Sequence, residues 1–249
     1  MDPASSSLPA KGVSAGDVVG EAFSIYRDNL GALLGSAIAV FLVVGLLSAL
    51  LENTDSVALA LIGALIGLAG HALYTGFVVK LVQDVRDGRR DDTVGDLFSA
   101  AAPAILPLIV FGILYAIGVG IGFLLLVVPG LFLLTFWSLG PPAIVVERVG
   151  PIEAFRRSWR LVKGEGWSVF ATLLVVLLIV LGVGIVLGIV AAAIGDSDAA
   201  AYVASIIANA VTAPIFALAV SIMYFDLGGG REAGATVAPG EPPMAPPAA

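Results

Sequence analysis

Six near-continuous apolar stretches dominate the chain, running roughly Leu30–Leu51, Val57–Val79, Ile105–Val127, Leu131–Val146, Trp167–Ile194 and Ala200–Tyr224. A helix of about twenty apolar residues crosses the roughly 30 Å hydrocarbon core of a bilayer with every backbone amide bonded inside its own segment. A membrane β-barrel would instead show alternating segments of about ten residues. These stretches are continuous. The residues are 59% hydrophobic and 12% charged, where a soluble domain carries about 25% charged residues to cover its surface. The expected fold class is all-α: a polytopic helical membrane protein of about six transmembrane helices.

Charge placement orients the bundle. Lys11 and Arg27 precede the first stretch, and Lys80, Arg86, Arg89 and Arg90 follow the second. Arg148, Arg156, Arg157, Arg160 and Lys163 lie between the fourth and fifth, and Arg231 follows the sixth. That accounts for all 12 Lys and Arg. The loops at the other end carry Glu52, Asp55, Asp196 and Asp198 and no basic residue. The positive-inside rule then puts both termini in the cytoplasm, and the expected location is the cell membrane, multi-pass. No apolar h-region occurs in the first twenty residues, so insertion is expected to use the first membrane helix.

Three units are expected, each a short cytoplasmic interfacial helix followed by a helical hairpin. Ser14/Asp17 and Thr93/Asp96 share a capping-box spacing. Gly150-Pro-Ile-Glu153 has a proline and an acid suited to a first helical turn. Pro129-Gly130 is expected to form the turn of the second hairpin, and Gly-Asp-Ser-Asp at 195–198 that of the third. Residues 1–13 and the Gly/Pro/Ala-rich 228–249 cannot bury enough apolar area to order themselves. The domains are therefore a disordered tail at 1–13, a six-helix transmembrane domain at 14–227 and a disordered tail at 228–249.

Two regions carry candidate functional residues. From Ile152, the apolar Phe155, Trp159 and Val162 follow at helical spacing. Arg156, Arg160 and Lys163 fall on another face, and Glu153 is placed to pair with Arg157 at i,i+4. Such a basic helix lies along a membrane surface, which makes Arg156, Arg157, Arg160 and Lys163 candidates for phospholipid headgroups; the alternative is a topology anchor without a ligand. Inside the membrane, His71 lies nine residues before Lys80, roughly 13 Å along a helix and near the midplane. Gly63, Gly67, His71 and Thr75 share one stripe, and Ser205, Asn209 and Thr212 share another just before Pro214. Either these residues contact a proton or solute in transit, or they are interhelical hydrogen bonds that serve packing. Gly31/Gly35, Gly63/Gly67, Gly118/Gly122 and Gly184/Gly188 have the spacing of tight helix contacts.

Several chemistries are absent from the sequence. There are no cysteines and one histidine, so no thiol nucleophile, disulfide or thiolate metal site can be built, and one histidine does not seed a hydrolytic metal site. No phosphate-cradling glycine loop, HExxH or GxSxG occurs. No cofactor, metal or catalytic activity is expected. The net charge of −7 is dispersed over loops and tails, and no basic patch of the kind that binds nucleic acid is present.

Residues 129–167, PGLFLLTFWSLGPPAIVVERVGPIEAFRRSWRLVKGEGW, resemble the membrane domain found with glycerophosphoryl diester phosphodiesterases and its stand-alone relatives. Pro129, Gly130, Glu147, Ala154, Arg157, Ser158, Trp159 and Gly164 carry the resemblance, and GEAFSIYRDN and MYFDL are also similar. It implies a six-helix membrane module. The hydrolase chemistry of that family belongs to a separate soluble domain without a counterpart in these residues, so no phosphodiesterase activity is implied. The expected function is a non-catalytic membrane module that scaffolds a protein partner at its cytoplasmic face or engages membrane phospholipids. The alternative is a small transporter or permease with a polar path near His71 and the sixth helix.

Overall fold

The computed structural model describes residues 13–52, 56–88, 92–194 and 198–230. Nearly all of both expected tails lies outside them, as do Lys11, Asp55, Arg89, Arg90, Asp196 and Arg231. Among the described residues every regular element is a helix. Helix α1 (Ala15–Asp28) leads into the hairpin of α2 (Leu30–Glu52) and α3 (Val57–Asp87). Helix α4 (Val94–Ala101) continues through a 3-10 turn at Ala102–Ala104 into α5 (Ile105–Leu125), followed by α6 (Val127–Trp137) and α7 (Gly140–Glu147). Helix α8 (Pro151–Val162) precedes α9 (Gly166–Ile194) and α10 (Asp198–Asp226). Among the described residues six segments are long and apolar enough to cross a membrane, and a short helix, α1, α4 or α8, opens each hairpin of the three-unit plan.

The bundle is built around α10. It packs against α1, α2, α3, α7 and α9, and Ala217 to Tyr224 are buried without interruption. Helix α9 is the opposite case: Leu174, Leu178, Leu181, Ile185 and Ile189 are exposed, as a lipid-facing surface must be when tails and side chains are equally apolar. The short helices are anchored by small apolar faces. Val18, Ala22 and Ile25 of α1 are buried, and Thr93 caps α4 in a reciprocal box with Asp96. Ser14 makes no side-chain cap bond to α1.

Three local expectations are corrected. Pro129-Gly130 is not the turn of the second hairpin. The chain turns at Leu126, which is extended, and Pro129 sits in the first turn of α6, where its missing N–H has no helical partner to lose. The fourth span is broken into α6 and α7 rather than running as one short helix. The glycine spacings also differ in effect. A Cβ on Gly122 would come 2.9 Å from Gly130 Cα, so α5 and α6 touch backbone to backbone there; Gly31, Gly35, Gly184 and Gly188 have open space.

Candidate functional site

Four of the five polar residues singled out in the apolar spans, His71, Thr75, Asn209 and Thr212, meet at one cavity of about 330 Å³. Helix α3 supplies His71, Tyr74 and Thr75, the α6–α7 junction Ser138, Pro141 and Pro142, and α10 Asn209, Thr212 and Ser221. Val79, Val180, Phe216 and Val220 complete an apolar wall. A second cavity of about 240 Å³ shares His71, Thr75, Ser138, Pro141 and Phe216 and extends toward α5 at Leu108, Phe111 and Tyr115. Among the described residues no charged side chain lines either space.

The helix break at the cavity has a covalent cause. Pro141 and Pro142 have no N–H, so the carbonyls of Trp137 and Ser138 lose their α-helical donors and the helix cannot run through. Irregular backbone at membrane depth persists only where protein covers it or a polar cavity adjoins it. Both conditions hold. The Ser158 hydroxyl of α8 donates to the Phe136 carbonyl at 2.7 Å and accepts from the Leu139 N–H at 3.1 Å. One buried side chain thus satisfies both strands of the break.

His71 faces the cavity with its ring 5.0 Å from Phe41, and among the described residues none is hydrogen-bonded to the imidazole. Thr75 is similarly open. The other hydroxyls are turned back on their own helices or a neighbour. Thr212 donates to Ala208 O, Ser221 to Ala217 O, Ser138 to Thr135 O and Tyr74 to Leu33 O. Asn209 spends one N–H on the Ser205 carbonyl at 2.8 Å. Ser205, the remaining candidate of that stripe, is exposed one turn earlier and does not line the cavity.

In the basic segment, Arg157 is turned away from the face of Arg156, Arg160 and Lys163. Ala154, Arg157, Ser158 and Val162 form the buried face of α8. Arg157 Nε bonds Glu147 at 2.8 Å, with 6% and 11% of the two side chains exposed. Tyr224 Oη donates to the same carboxylate oxygen at 2.6 Å and Gly230 N–H at 3.3 Å. Glu153 is bonded by Arg160 at 3.1 Å and lies 3.6 Å from Arg156. Arg156, Arg160 and Lys163 remain exposed. Phe155 stacks on Phe111 and meets Trp137 edge-on, while Trp159 packs on Phe132 and Phe136. At the same end Arg86 joins Glu21 of α1 and Asp226 of α10, each at 2.8 Å. Sequence reasoning missed Tyr74, Ser138 and Ser221 as cavity residues. The Gly-Pro-Pro at 140–142 beside Ser138 was the readable sign of the break.

These features define an integral, multi-pass helical membrane protein with a polar cavity beside a discontinuous span. The chain belongs to the Uncharacterised protein family (UPF0259), whose sequence model matches residues 29–220, from the start of the first hairpin into the buried half of α10. It is 32% identical over 113 residues to a UPF0259 membrane protein of Pectobacterium carotovorum subsp. carotovorum (strain PC1), covering 45% of each chain. It is 30% identical over 96 residues to a UPF0259 membrane protein of Sodalis glossinidius (strain morsitans), covering 39% of this chain and 38% of that one. The match thus spans less than half the length of each of these relatives. No solved structure matches.

The family match overturns the resemblance to the glycerophosphoryl diester phosphodiesterase membrane domain. It takes in the whole of residues 129–167, and the residues that carried the resemblance prove to be general packing devices. Pro129 starts a helix, Glu147 and Arg157 pair across two helices, and Ser158 bridges a helix break. These roles are local packing, and they do not identify that domain.

Proposed function

We propose that the protein binds a small solute in the cavity between α3, α6–α7 and α10 and passes it through the bundle. The observation that carries this reading is the convergence of His71, Thr75, Asn209 and Thr212, drawn from two helices far apart in sequence, on one polar space beside a broken span. Polar residues that served packing alone would close on one another. Here His71 and Thr75 remain open to the cavity, and two backbone carbonyls nearby lack helical donors. Discontinuous membrane helices with solute sites at their breaks are a recurring transporter arrangement.

The cell membrane is the proposed location, with the twelve basic residues and both termini on the cytoplasmic side. A second reading is favoured by the exposed Arg156, Arg160 and Lys163: this rim meets anionic phospholipid headgroups or a protein partner. Arg157 is no part of that rim, since it is turned inward to Glu147.

The chain has no cysteine, so single-cysteine variants report without background. Thr75→Cys, Asn209→Cys and Thr212→Cys should react with a membrane-impermeant thiosulfonate in reconstituted vesicles. Leu178→Cys, on the exposed face of α9, should not. Unreactive cavity positions in a protein whose loop cysteines label normally would rule the passage out.

A further inference from the structure

We infer that the cavity takes small uncharged solutes rich in hydrogen-bond donors, such as alcohols, polyols and carboxamides, and turns ions away. This rests on the reading of the cavity as a solute site. The hydroxyls of Tyr74, Ser138, Thr212 and Ser221 have each given their single proton to a backbone carbonyl. A hydroxyl so committed can only accept. Asn209 offers its carbonyl oxygen and one N–H; the remaining donors are Thr75 and the His71 ring. Tyr74 and Ser221 are at most 1% exposed, but with the Thr75 oxygen and the second His71 nitrogen the accessible acceptors still outnumber the donors, and the complementary ligand must bring its own N–H or O–H groups.

Charge decides against an ion. No Asp, Glu, Lys or Arg lines the cavity among the described residues, and a charge taken out of water without a partner is strongly disfavoured. Nor do the oxygens gather into a cation cage. Asn209 and Ser221 lie twelve residues apart on one helix, roughly 18 Å, whereas a dehydrated cation needs its ligands around one point. Oxygens spread along a helix suit a solute handed from one acceptor to the next. Phe216, Val79 and Val220 give its carbon skeleton an apolar wall.

The test uses three probes of nearly equal size: propanamide, propanoate and propylammonium. Saturation-transfer NMR on the detergent-purified full chain should show binding of propanamide at an affinity at least about tenfold above that of either ion. Asn209→Leu combined with Thr212→Val should weaken propanamide about tenfold, the equivalent of one lost hydrogen bond. Thr212→Ser, which keeps the acceptor, should stay within about twofold and covers the case in which the double variant does not fold. Equal or tighter binding of propanoate or propylammonium overturns the inference and leaves the passage reading standing. Binding of none of the three also overturns it, while cysteine reactivity at positions 209 and 212 decides the passage reading separately.

Discussion

Glu147 gathers three hydrogen bonds at the protein's basic end. Its Oε1 accepts from Arg157, Tyr224 and the Gly230 N–H, so one oxygen ties α7 to α8, to α10 and to the residues just after it. An ion pair this buried contributes little net stability as a pair, because desolvation offsets attraction, but removing one partner strands the other. Arg157→Met should therefore destabilise the fold by about 3–5 kcal/mol, and adding Glu147→Leu should recover much of the loss. Urea or SDS titration of the purified variants reads both; a single variant within about 1 kcal/mol of the parent would refute the account. Helical spacing alone paired Arg157 with Glu153, and the basic character of the helix made it a headgroup candidate. The error is physical: a helical wheel gives angles within one helix, while the stronger partner sits ten residues back on another. His71, Asn209 and Thr212 were legible because a polar residue in an apolar span must be explained by a partner or a cavity. Ser138 and Tyr74 were not, since a Ser at the end of α6 and a Tyr inside α3 are unremarkable by composition.

At the scale of elements, the spans could be read to within a few residues except where the chain breaks its own rule. Helix α2 and α9 match their expected stretches closely, and α3 simply continues to Asp87 beyond its apolar part. The fourth stretch concealed a break, because hydropathy averages over Gly140-Pro141-Pro142 without registering the missing N–H groups. Ser158 holds that break together, and Ser158→Ala would leave Phe136 O and Leu139 N–H unpaired in the interior. The expected cost is about 1–3 kcal/mol, measurable in the same titrations and reduced in Ser158→Thr if the larger hydroxyl side chain fits. Glycine spacing needs the same discrimination. Gly122→Ala should cost about 1–3 kcal/mol, because its Cβ would press on the Gly130 backbone. Gly184→Ala and Gly188→Ala meet nothing within 4 Å and should be neutral or slightly stabilising through helix propensity. Equal effects at all three sites would show that the spacing, not the contact, matters.

At the scale of the whole molecule, the two ends of the bundle are held by different forces. Among the described residues every Lys and Arg flanks one end, and the ion pairs they make lie there. Arg86 links α1, α3 and α10, and Arg157 links α7 and α8. The opposite end relies on apolar contact and scattered hydrogen bonds, such as Ser48 Oγ to Gly63 O at 2.8 Å. Asn209 lies nearer that acidic end of α10, eleven residues from Asp198 and seventeen from Asp226. A solute passage through such a body should open more readily at the end without ion pairs. Asn209→Cys should accordingly label faster from the acidic side than from the basic side in oriented vesicles. Adding Arg86→Ala, which releases Glu21 and Asp226 together, should raise labelling from the basic side and leave the acidic-side rate nearly unchanged. Ser56→Cys and Gly150→Cys, at the two ends, fix which side is which, and by the positive-inside rule Gly150 should face the cytoplasm. If Arg86→Ala accelerated both sides alike, the ion pairs would be acting on overall stability and not as the closure of one end.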